Sequence, residues 1–438
     1  MIHLRSVLVL MNLFAPHNNS GAIPNTKLIK YLARQDVRIT LVTKAVTPDM
    51  VIDEALLPAE MDRIRTIRVG HSGLYARTME ASRNRITDNG VKLKMKSETR
   101  PLRSKVVNLL KNTYLWTRDR DWFLRAVSAM ERELAGEHFD CVYSTFPNEV
   151  NHDIARYVMK KGMADRWIAD FRDPMFYQYH DAHNQRRLKR QHRIEREADV
   201  VTIVSEGARS KFLCDGVDPE KIVCIPNGFD PEDAAQTVGT PTPGVLRLFY
   251  AGTLYAGRRD FSVVFQAISE LHREGLVDPG RIRFEYAGNE WPVMQGFAQQ
   301  YGLTDCCINH GFIPRSRVLE LLGEADCTAV CTHNTATDQG VVTGKIFELL
   351  LVGKPVLTVV NGDIPGSELG AIVRDCHAGP VYEQATHQAD YPALKQWLLD
   401  TYRDKLATGT VAPVLDETKR DAYSYEMLSR QLYRLTGQ

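Results

Sequence analysis

Apolar runs of strand length, each trailed by a loop and a helical stretch, recur along this chain and restrict it to an α/β fold with parallel sheets. Residues 7–13 and 37–43 read as strands of the kind that is buried on both faces. Between them Asn18-Asn19-Ser20-Gly21 predicts a turn and residues 25–34 a helix, which makes the opening one βαβ unit. Further strands are expected over 139–144, 167–171, 198–204 and 222–225. A very basic helix is expected over 186–196, and Ser205 is placed to cap the helix that follows. Residues 233–245, with Pro, Gly and several Thr, predict a linker. Beyond it the pattern restarts, with strands over 246–250, 283–287, 326–330 and 356–360 and a short strand before Gly311-Phe312-Ile313. Helices are expected over 261–271, 318–323, 345–351, 391–403 and 423–435. The expected division is 1–238, 239–412, and a closing segment 413–438 whose helix returns to the first domain. At 438 residues the chain is long enough to bury two such cores.

Within the second sheet, Thr343-Gly344-Lys345-Ile346-Phe347-Glu348 reads as a tight loop opening a helix. Lys345 and Glu348 lie one turn apart and face the same way. A helix start offers free N–H groups and partial positive charge, which suit a phosphate, and Lys345 adds a full charge. A glutamate beside a phosphate is badly placed unless it serves something else, such as the hydroxyls of a ribose, so the combination points to a nucleotide. An ordinary amphipathic helix with a capped start is the alternative. Ala251-Gly252-Thr253-Leu254-Tyr255-Ala256-Gly257-Arg258-Arg259 is a Gly-containing basic loop after another strand end. Arg258, Arg259, Lys345 and Glu348 all follow strand ends, so they are expected on one edge, facing an interdomain cleft, where a diphosphate needs positive charge. In the first sheet, Gly21 either admits a ligand close to the backbone or simply makes a turn. Asp170-Phe171-Arg172-Asp173-Pro174 clusters charge at a strand end, as a ligand crevice or as a structural ion pair.

Net charge is +1, so no global field draws the chain to nucleic acid. The charge is uneven. Arg83, Arg85, Lys92, Lys94, Lys96, Arg100, Arg103, Lys105, Lys111, Arg118, Arg120 and Arg125 crowd one segment. Val106, Val107, Leu109, Leu110, Leu115, Trp116, Trp122, Phe123 and Leu124 are interleaved with them. This basic, aromatic-bearing stretch reads as an interfacial membrane segment or, more plainly, as a solvated helix face over core residues. No motif for nucleic acid accompanies it. The N-terminal apolar run is read as a first strand rather than a signal peptide, and nothing approaches the ~18–20 apolar residues of a membrane span. Eight cysteines are scattered without a zinc-type quartet, and Cys327 with Cys331 reads as a buried pair rather than a metal site. That usage suits a reducing cytoplasm.

Ser144-Thr145-Phe146-Pro147 followed by His152, then Ala169-Asp170-Phe171-Arg172-Asp173-Pro174, Val204-Ser205 and Ile225-Pro226-Asn227-Gly228-Phe229-Asp230, occur in the first half. Tyr250-Ala251-Gly252-Thr253-Leu254-Tyr255 with Arg258, Gly344-Lys345-Ile346-Phe347-Glu348, Gly353-Lys354-Pro355-Val356 and Tyr423-Ser424-Tyr425-Glu426 follow in the second. In this order and spacing they resemble glycosyltransferase family 4 and its relatives with the GT-B fold, especially bacterial polysaccharide-biosynthesis members. The resemblance implies two Rossmann-like domains with parallel sheets facing a central cleft, and a nucleotide-sugar donor held mainly by the second. It implies that Arg258, or its neighbour Arg259, and Lys345 neutralise the diphosphate, with Thr343 and Gly344 at the helix start. Glu348 then binds the ribose hydroxyls and Gly21 lies beside donor phosphate and acceptor. His152 stands near the donor sugar or is a satisfied structural histidine. Asp170, Arg172 and Asp173 fall on the acceptor side.

One departure stands out. Many members carry two glutamates, of which Glu348 is the second; the first position is Gly340 here, with Asp338 and Gln339 nearby. The expected reaction is transfer of a sugar to a saccharide or lipid-linked acceptor, with retention at the anomeric carbon and the leaving phosphate taking the acceptor proton. Positive groups aimed at the leaving diphosphate do the most work. No carboxylate pair with metal-ligand spacing is apparent, so neither metal nor other cofactor is expected. An epimerase of the same fold and a non-catalytic GT-B-like partner subunit are the rivals, the latter favoured by Gly340. The expected location is cytoplasmic, peripheral on the inner membrane face where the basic segment reaches anionic lipid.

Overall fold

The computed structural model describes residues 4–19, 21–47, 50–73, 75, 101–173, 175, 182–237 and 239–437. The chain forms two compact units. The first comprises residues 1–204, 211–225 and 429–438, and the second 205–210 and 226–428.

In the first unit, β1 (Arg5–Leu10), β2 (Val37–Lys44), β3 (Ile64–Val69), β4 (Cys141–Phe146), β5 (Trp167–Phe171), β6 (Val200–Ile203) and β7 (Ile222–Cys224) form one sheet. Its order is β3-β2-β1-β4-β5-β6-β7, and every paired neighbour is parallel. The helices are α1 (Ala22–Leu32), α2 (Pro101–Glu133), α3 (Val150–Lys160) and α4 (Ala182–Glu197), with α5 (Glu206–Cys214) running across the division between the units. Chain direction reverses its path at β1 and β4, whose register pairs Leu10 with Ser144. The loops after these two strands therefore flank the point where an open α/β sheet has its crevice. The basic stretch 83–100 lies outside the described residues; its continuation is α2, of which Trp122, Ala126 and Met130 are buried.

In the second unit, β8 (Leu246–Ala251), β9 (Ile282–Ala287), β10 (Cys307–Gly311), β11 (Cys327–His333), β12 (Val356–Asn361) and β13 (Val381–Glu383) are ordered β10-β9-β8-β11-β12-β13, again parallel. Alternation along the strands feeds two cores. Leu246, Leu248 and Tyr250 pack with α6 (Ser262–Arg273), α7 (Trp291–Gln300) and α11 (His387–Thr408). Phe249, Val330 and Val356 pack with α8 (Arg315–Glu324), α9 (Lys345–Val352) and α10 (Glu368–Asp375). Helix α9 stops because Gly353 takes a left-handed conformation, φ 73°, with its N–H returned to the Leu349 carbonyl. Lys405 of α11 and Asp326, both fully buried, meet at 2.6 Å; the second Asp326 oxygen accepts from Arg247 N.

The chain ends with α12 (Glu417–Asp421) and α13 (Tyr425–Leu435). Residues 429–438 sit with the first unit, where Arg5 donates to the Tyr433 carbonyl at 3.0 Å. Residues 226–238 sit with the second unit. A short helical turn replaces the first part of the expected linker, and Asp233 there is paired with Arg315.

Candidate functional site

The second unit has the Rossmann strand order, so its crevice lies between the loops that leave β8 and β11. These loops and the start of α9 carry the residues singled out from the sequence. Lys345 is the first residue of α9. Its N-cap is Gly344, the first turn has no side-chain cap, and Ile346 N donates to the Thr343 carbonyl. The open first turn leaves N–H groups for an anion. Lys345 passes against Gly252: a Cβ there would lie 3.1 Å from Lys345 Cε and 2.8 Å from the Tyr250 hydroxyl. Burial, above all, pushes the Lys345 ammonium below the usual lysine value. Glu348 draws it up and Arg259 pushes it further down.

Of the two neighbouring arginines, Arg259 is the one beside Lys345. It is buried and lies over the Tyr255 ring at 4.6 Å, and its Nε has no partner. Arg258 is exposed. Among the described residues neither Lys345 nor Arg259 forms an ion pair. Two desolvated cations without a carboxylate are costly alone and suit a doubly charged anion.

Glu348 is held from one side. Arg315 donates through Nη2 and Nε to its Oε1 at 2.8 and 3.1 Å, and also reaches Asp233 at 3.2 Å. Burial works against the Arg315 charge, but the two carboxylates outweigh it and its guanidinium is held above the ordinary value. The second Glu348 oxygen remains to accept hydroxyl donors.

The sequence reading missed Arg315, a basic residue that opens a helix after a strand end, and Glu290. The Glu290 carboxylate accepts from Leu254 N, Tyr255 N and Ala256 N at 2.6, 3.0 and 2.9 Å.

The loop before α9 explains the missing first glutamate. Gly340 has φ 69°, and a Cβ on it would fall on Gly207 Cα; the reverse also holds. Two backbones cross there with no room for a side chain on either. Asp338 is engaged by His333 at 2.8 Å, and Glu368 accepts from Glu206 N and Gly207 N at 2.7 and 2.9 Å, which fixes the other strand of the crossing.

In the first unit the structure separates the remaining residues. Gly21 is the N-cap of α1, with its N–H and that of Ala22 given to Asn19 Oδ1 at 3.0 and 2.7 Å; a Cβ there would meet Leu13. Asp170 and Arg172 form a buried ion pair at 2.9 Å, with Thr202 donating to the other Asp170 oxygen, whereas Asp173 is exposed. His152 is 0% exposed. Its Nδ1 meets Ser144 Oγ at 2.8 Å, which also accepts from Trp167 Nε1, and its ring lies 4.8 Å from that of Phe171. Burial, then Arg190, lowers its pKa to about 3. What borders the crevice of this sheet is an amide network: Asn12 Oδ1 accepts from Asn148 N and Asn151 Nδ2, tying the ends of β1 and β4.

Residues 26–233 match the family model described as Glycosyltransferase Family 4. Sucrose-phosphate synthase from Thermosynechococcus elongatus is similar over 98% of this chain and 98% of its own, with a TM-score of 0.59 at 14% identity. Anabaena Alr3699/HepE in complex with UDP aligns over 98% of this chain and 99% of its own, at 0.56 and 14%. The lipopolysaccharide outer core galactosyltransferase WaaB aligns over 98% of both, at 0.51 and 11%. No curated protein sequence matches this one significantly. Over residues 26–233 the chain resembles Glycosyltransferase Family 4, and its fold is GT-B. It is a transferase, a glycosyltransferase.

Two predictions follow from this geometry. Gly340→Ala is expected to lower stability by about 2–4 kcal/mol, from left-handed strain plus the collision with Gly207. Gly340→Glu is expected to do worse rather than to restore a family contact. Urea titration followed by circular dichroism measures both. His152 is the second case. Its folded pKa lies below the unfolded 6.5, so the unfolded chain takes up the proton first as pH falls, and stability declines from about pH 6.5 toward 3. Between about pH 6.5 and 5 the loss from this group is about 2 kcal/mol. His152→Gln should remove that part of the slope when unfolding is followed by tryptophan fluorescence.

Proposed function

We propose that the chain transfers a sugar from a nucleotide-sugar donor to a hydroxyl of a saccharide or lipid-linked acceptor in surface-glycan synthesis. The observation that carries this is the pair of cations, half-buried Lys345 and buried Arg259, with no ion pair among the described residues, at the open start of α9, with Glu348 one turn on. The fit of a nucleoside diphosphate is chemical. The pyrophosphate lies against Lys345, Arg259 and the N–H groups after Gly344, with Thr343 at their edge and exposed Arg258 at the rim. The ribose hydroxyls donate to the free oxygen of Glu348. HepE, with the same fold, is described in complex with UDP and with UDP-glucose, which supports this class of donor.

In the reaction the bond from the anomeric carbon to the β-phosphate oxygen breaks and one to the acceptor oxygen forms. The acceptor proton passes to the departing diphosphate, with retention at the anomeric carbon. Negative charge grows on the leaving group, where Lys345 and Arg259 stabilise it more in the transition state than in the bound donor. Fixed cations take the part that a divalent ion plays elsewhere, so turnover is expected to be unchanged by EDTA. His152, neutral and buried against Ser144, has a positioning role for the end of β4 in this reading. Gly21 and the Asp170–Arg172 pair shape the acceptor side, with Asp173 at the surface.

The partner surface is an anionic bilayer. Trp116, Arg120 and Leu124 recur every fourth residue on α2 and are exposed, with Arg120 5.8 Å from the Trp116 ring and Arg125 beside them half exposed. Among the described residues no helix is long and apolar enough to cross a membrane. The place of action in this reading is the cytoplasmic face, as a peripheral protein.

The first test is a melting-temperature panel with nucleoside diphosphates. One should raise the midpoint in wild type, and Lys345→Ala and Glu348→Ala should lose the rise. Lys345→Ala or Arg259→Ala should reduce kcat by about 10²–10³-fold. Unimpaired transfer in Lys345→Ala and Glu348→Ala sinks the site, and sugar release or isomerisation without an acceptor points to the epimerase class. For the membrane, vesicles containing anionic lipid should carry wild type upward in flotation, each basic residue contributing about 1 kcal/mol. Binding unaltered when the basic residues of 83–125 are neutralised rejects the surface.

A further inference from the structure

The loop that carries Arg258 and Arg259 has an unusual backbone. Tyr255 and Ala256 lie at φ 52° and 54° and Gly257 at 91°. Left-handed conformation costs about 1–2 kcal/mol for each residue that bears a Cβ. Something must hold the loop there, and its polar groups show what does. The Gly252 carbonyl accepts from the Tyr286 hydroxyl and the Thr253 carbonyl from the Tyr250 hydroxyl, both at 3.0 Å. The next three N–H groups, of Leu254, Tyr255 and Ala256, all converge on the Glu290 carboxylate. Consecutive N–H groups converging in this way form an anion nest. Glu290 is itself fixed, since its own N–H donates to the Tyr286 hydroxyl at 3.1 Å and it opens α7. The remaining turn closes on Leu254, whose carbonyl accepts from Gly257 N and Arg259 N. Among the described residues no other side chain holds the three nest donors.

The loop does two things for the cations. It presents the Tyr255 ring against which the Arg259 guanidinium lies, and it brings Gly252 beneath Lys345. Arg259 also donates through Nη1 to the Thr253 carbonyl at 3.4 Å, so releasing the nest loosens both the ring and the carbonyl that hold its guanidinium. We propose that Glu290 is the positioning residue of the diphosphate site: an internal carboxylate fills the loop's nest and thereby sets Arg259 beside Lys345 for the donor's diphosphate. This rests on the donor-site reading above. Glu290 touches no reacting atom; it acts through the backbone of Leu254–Ala256. A carboxylate is required there because it only accepts. A glutamine turns one of its two ends into a donor facing N–H groups, and an aspartate is one methylene short.

The test uses the full-length protein and calorimetry with the nucleoside diphosphate that the melting panel selects, beside the nucleoside without phosphates. Glu290→Ala and Glu290→Gln should weaken diphosphate binding at least about tenfold and leave nucleoside binding, which depends on Glu348, unchanged. Turnover in Glu290→Ala should fall, and added formate, a small carboxylate able to enter the vacated nest, should restore part of it and of the diphosphate affinity. Melting temperature without ligand separates this from unfolding, and Glu290→Gln, close in size, is the guard should the alanine variant fail to fold. Equal loss of nucleoside and diphosphate affinity, or full diphosphate affinity in both variants, overturns the assignment of Glu290 while leaving the cation site standing. If wild type binds no nucleoside diphosphate, the donor-site reading fails and this inference falls with it.

Discussion

Two positive charges held side by side without a counter-charge are the constraint around which the second unit is arranged. Lys345 and Arg259 repel, and both are largely removed from water, which disfavours the lysine charge in particular. A fold keeps such a pair only if its surroundings leave little freedom to relax. Here Gly252 lacks the Cβ that would push Lys345 aside, Tyr255 lies along the Arg259 guanidinium, and the open turn of α9 adds its own partial positive charge. The free energy stored in that repulsion is released when an anion arrives. Preorganised charge in a low-dielectric setting does more for a departing diphosphate than the same charges on mobile surface side chains. The carboxylates nearby are kept off the cations by other partners: Glu348 faces Arg315, and Glu290 is spent on three backbone N–H groups.

The two sheets share a strand order at their centres yet furnish the corresponding crevices differently. In the second unit the crevice is bordered by charge. In the first, Asn12, Asn148 and Asn151 join the ends of β1 and β4 through neutral amides, and the charged pair Asp170–Arg172 is internally satisfied. Amides donate and accept, which matches hydroxyl groups better than phosphates. Each crevice taken by itself thus differs in chemistry: charged in the second unit, neutral and amide-lined in the first.

What could be read from the sequence was whatever depends on neighbours along the chain. The strand at 167–171 was legible to the residue because Trp167, Ile168, Ala169 and Phe171 make a short apolar run broken only by Asp170, as a buried parallel strand does. β3, a half-exposed strand interrupted by Arg65 and Arg68, and the three-residue β13 carry too little of that signal. Lys345 and Glu348 were legible because helical spacing puts them on one face. Their partners were not: Arg315 reaches Glu348 across 33 residues, and Glu290 reaches the loop across 34 to 36. For His152, place in the chain said that it follows a central strand, but its surroundings are Trp167 and Phe171, brought in by the next strand. Burial, which decides between a surface histidine and a core one, is set by such distant contacts. Between Arg258 and Arg259 the sequence could not choose, because a turn with left-handed residues sends adjacent side chains to different environments.

The glycine at 340 is the sharpest case of a departure with a physical cause. Read along the chain, it is the loss of an acidic side chain, and loss of a ligand group suggests loss of activity. In three dimensions it is a crossing of two backbones that admits a hydrogen and nothing larger on either side, clamped by Glu368, which holds the start of α5, and by the His333–Asp338 pair on the loop. What stands at this position is a close backbone contact that no side chain permits. A loop so fixed still presents its peptide groups, and the cations that face the diphosphate do not depend on the missing group. In the proposed reading the departure therefore bears on the sugar end of a donor, and leaves Lys345, Arg259 and the start of α9 as they are.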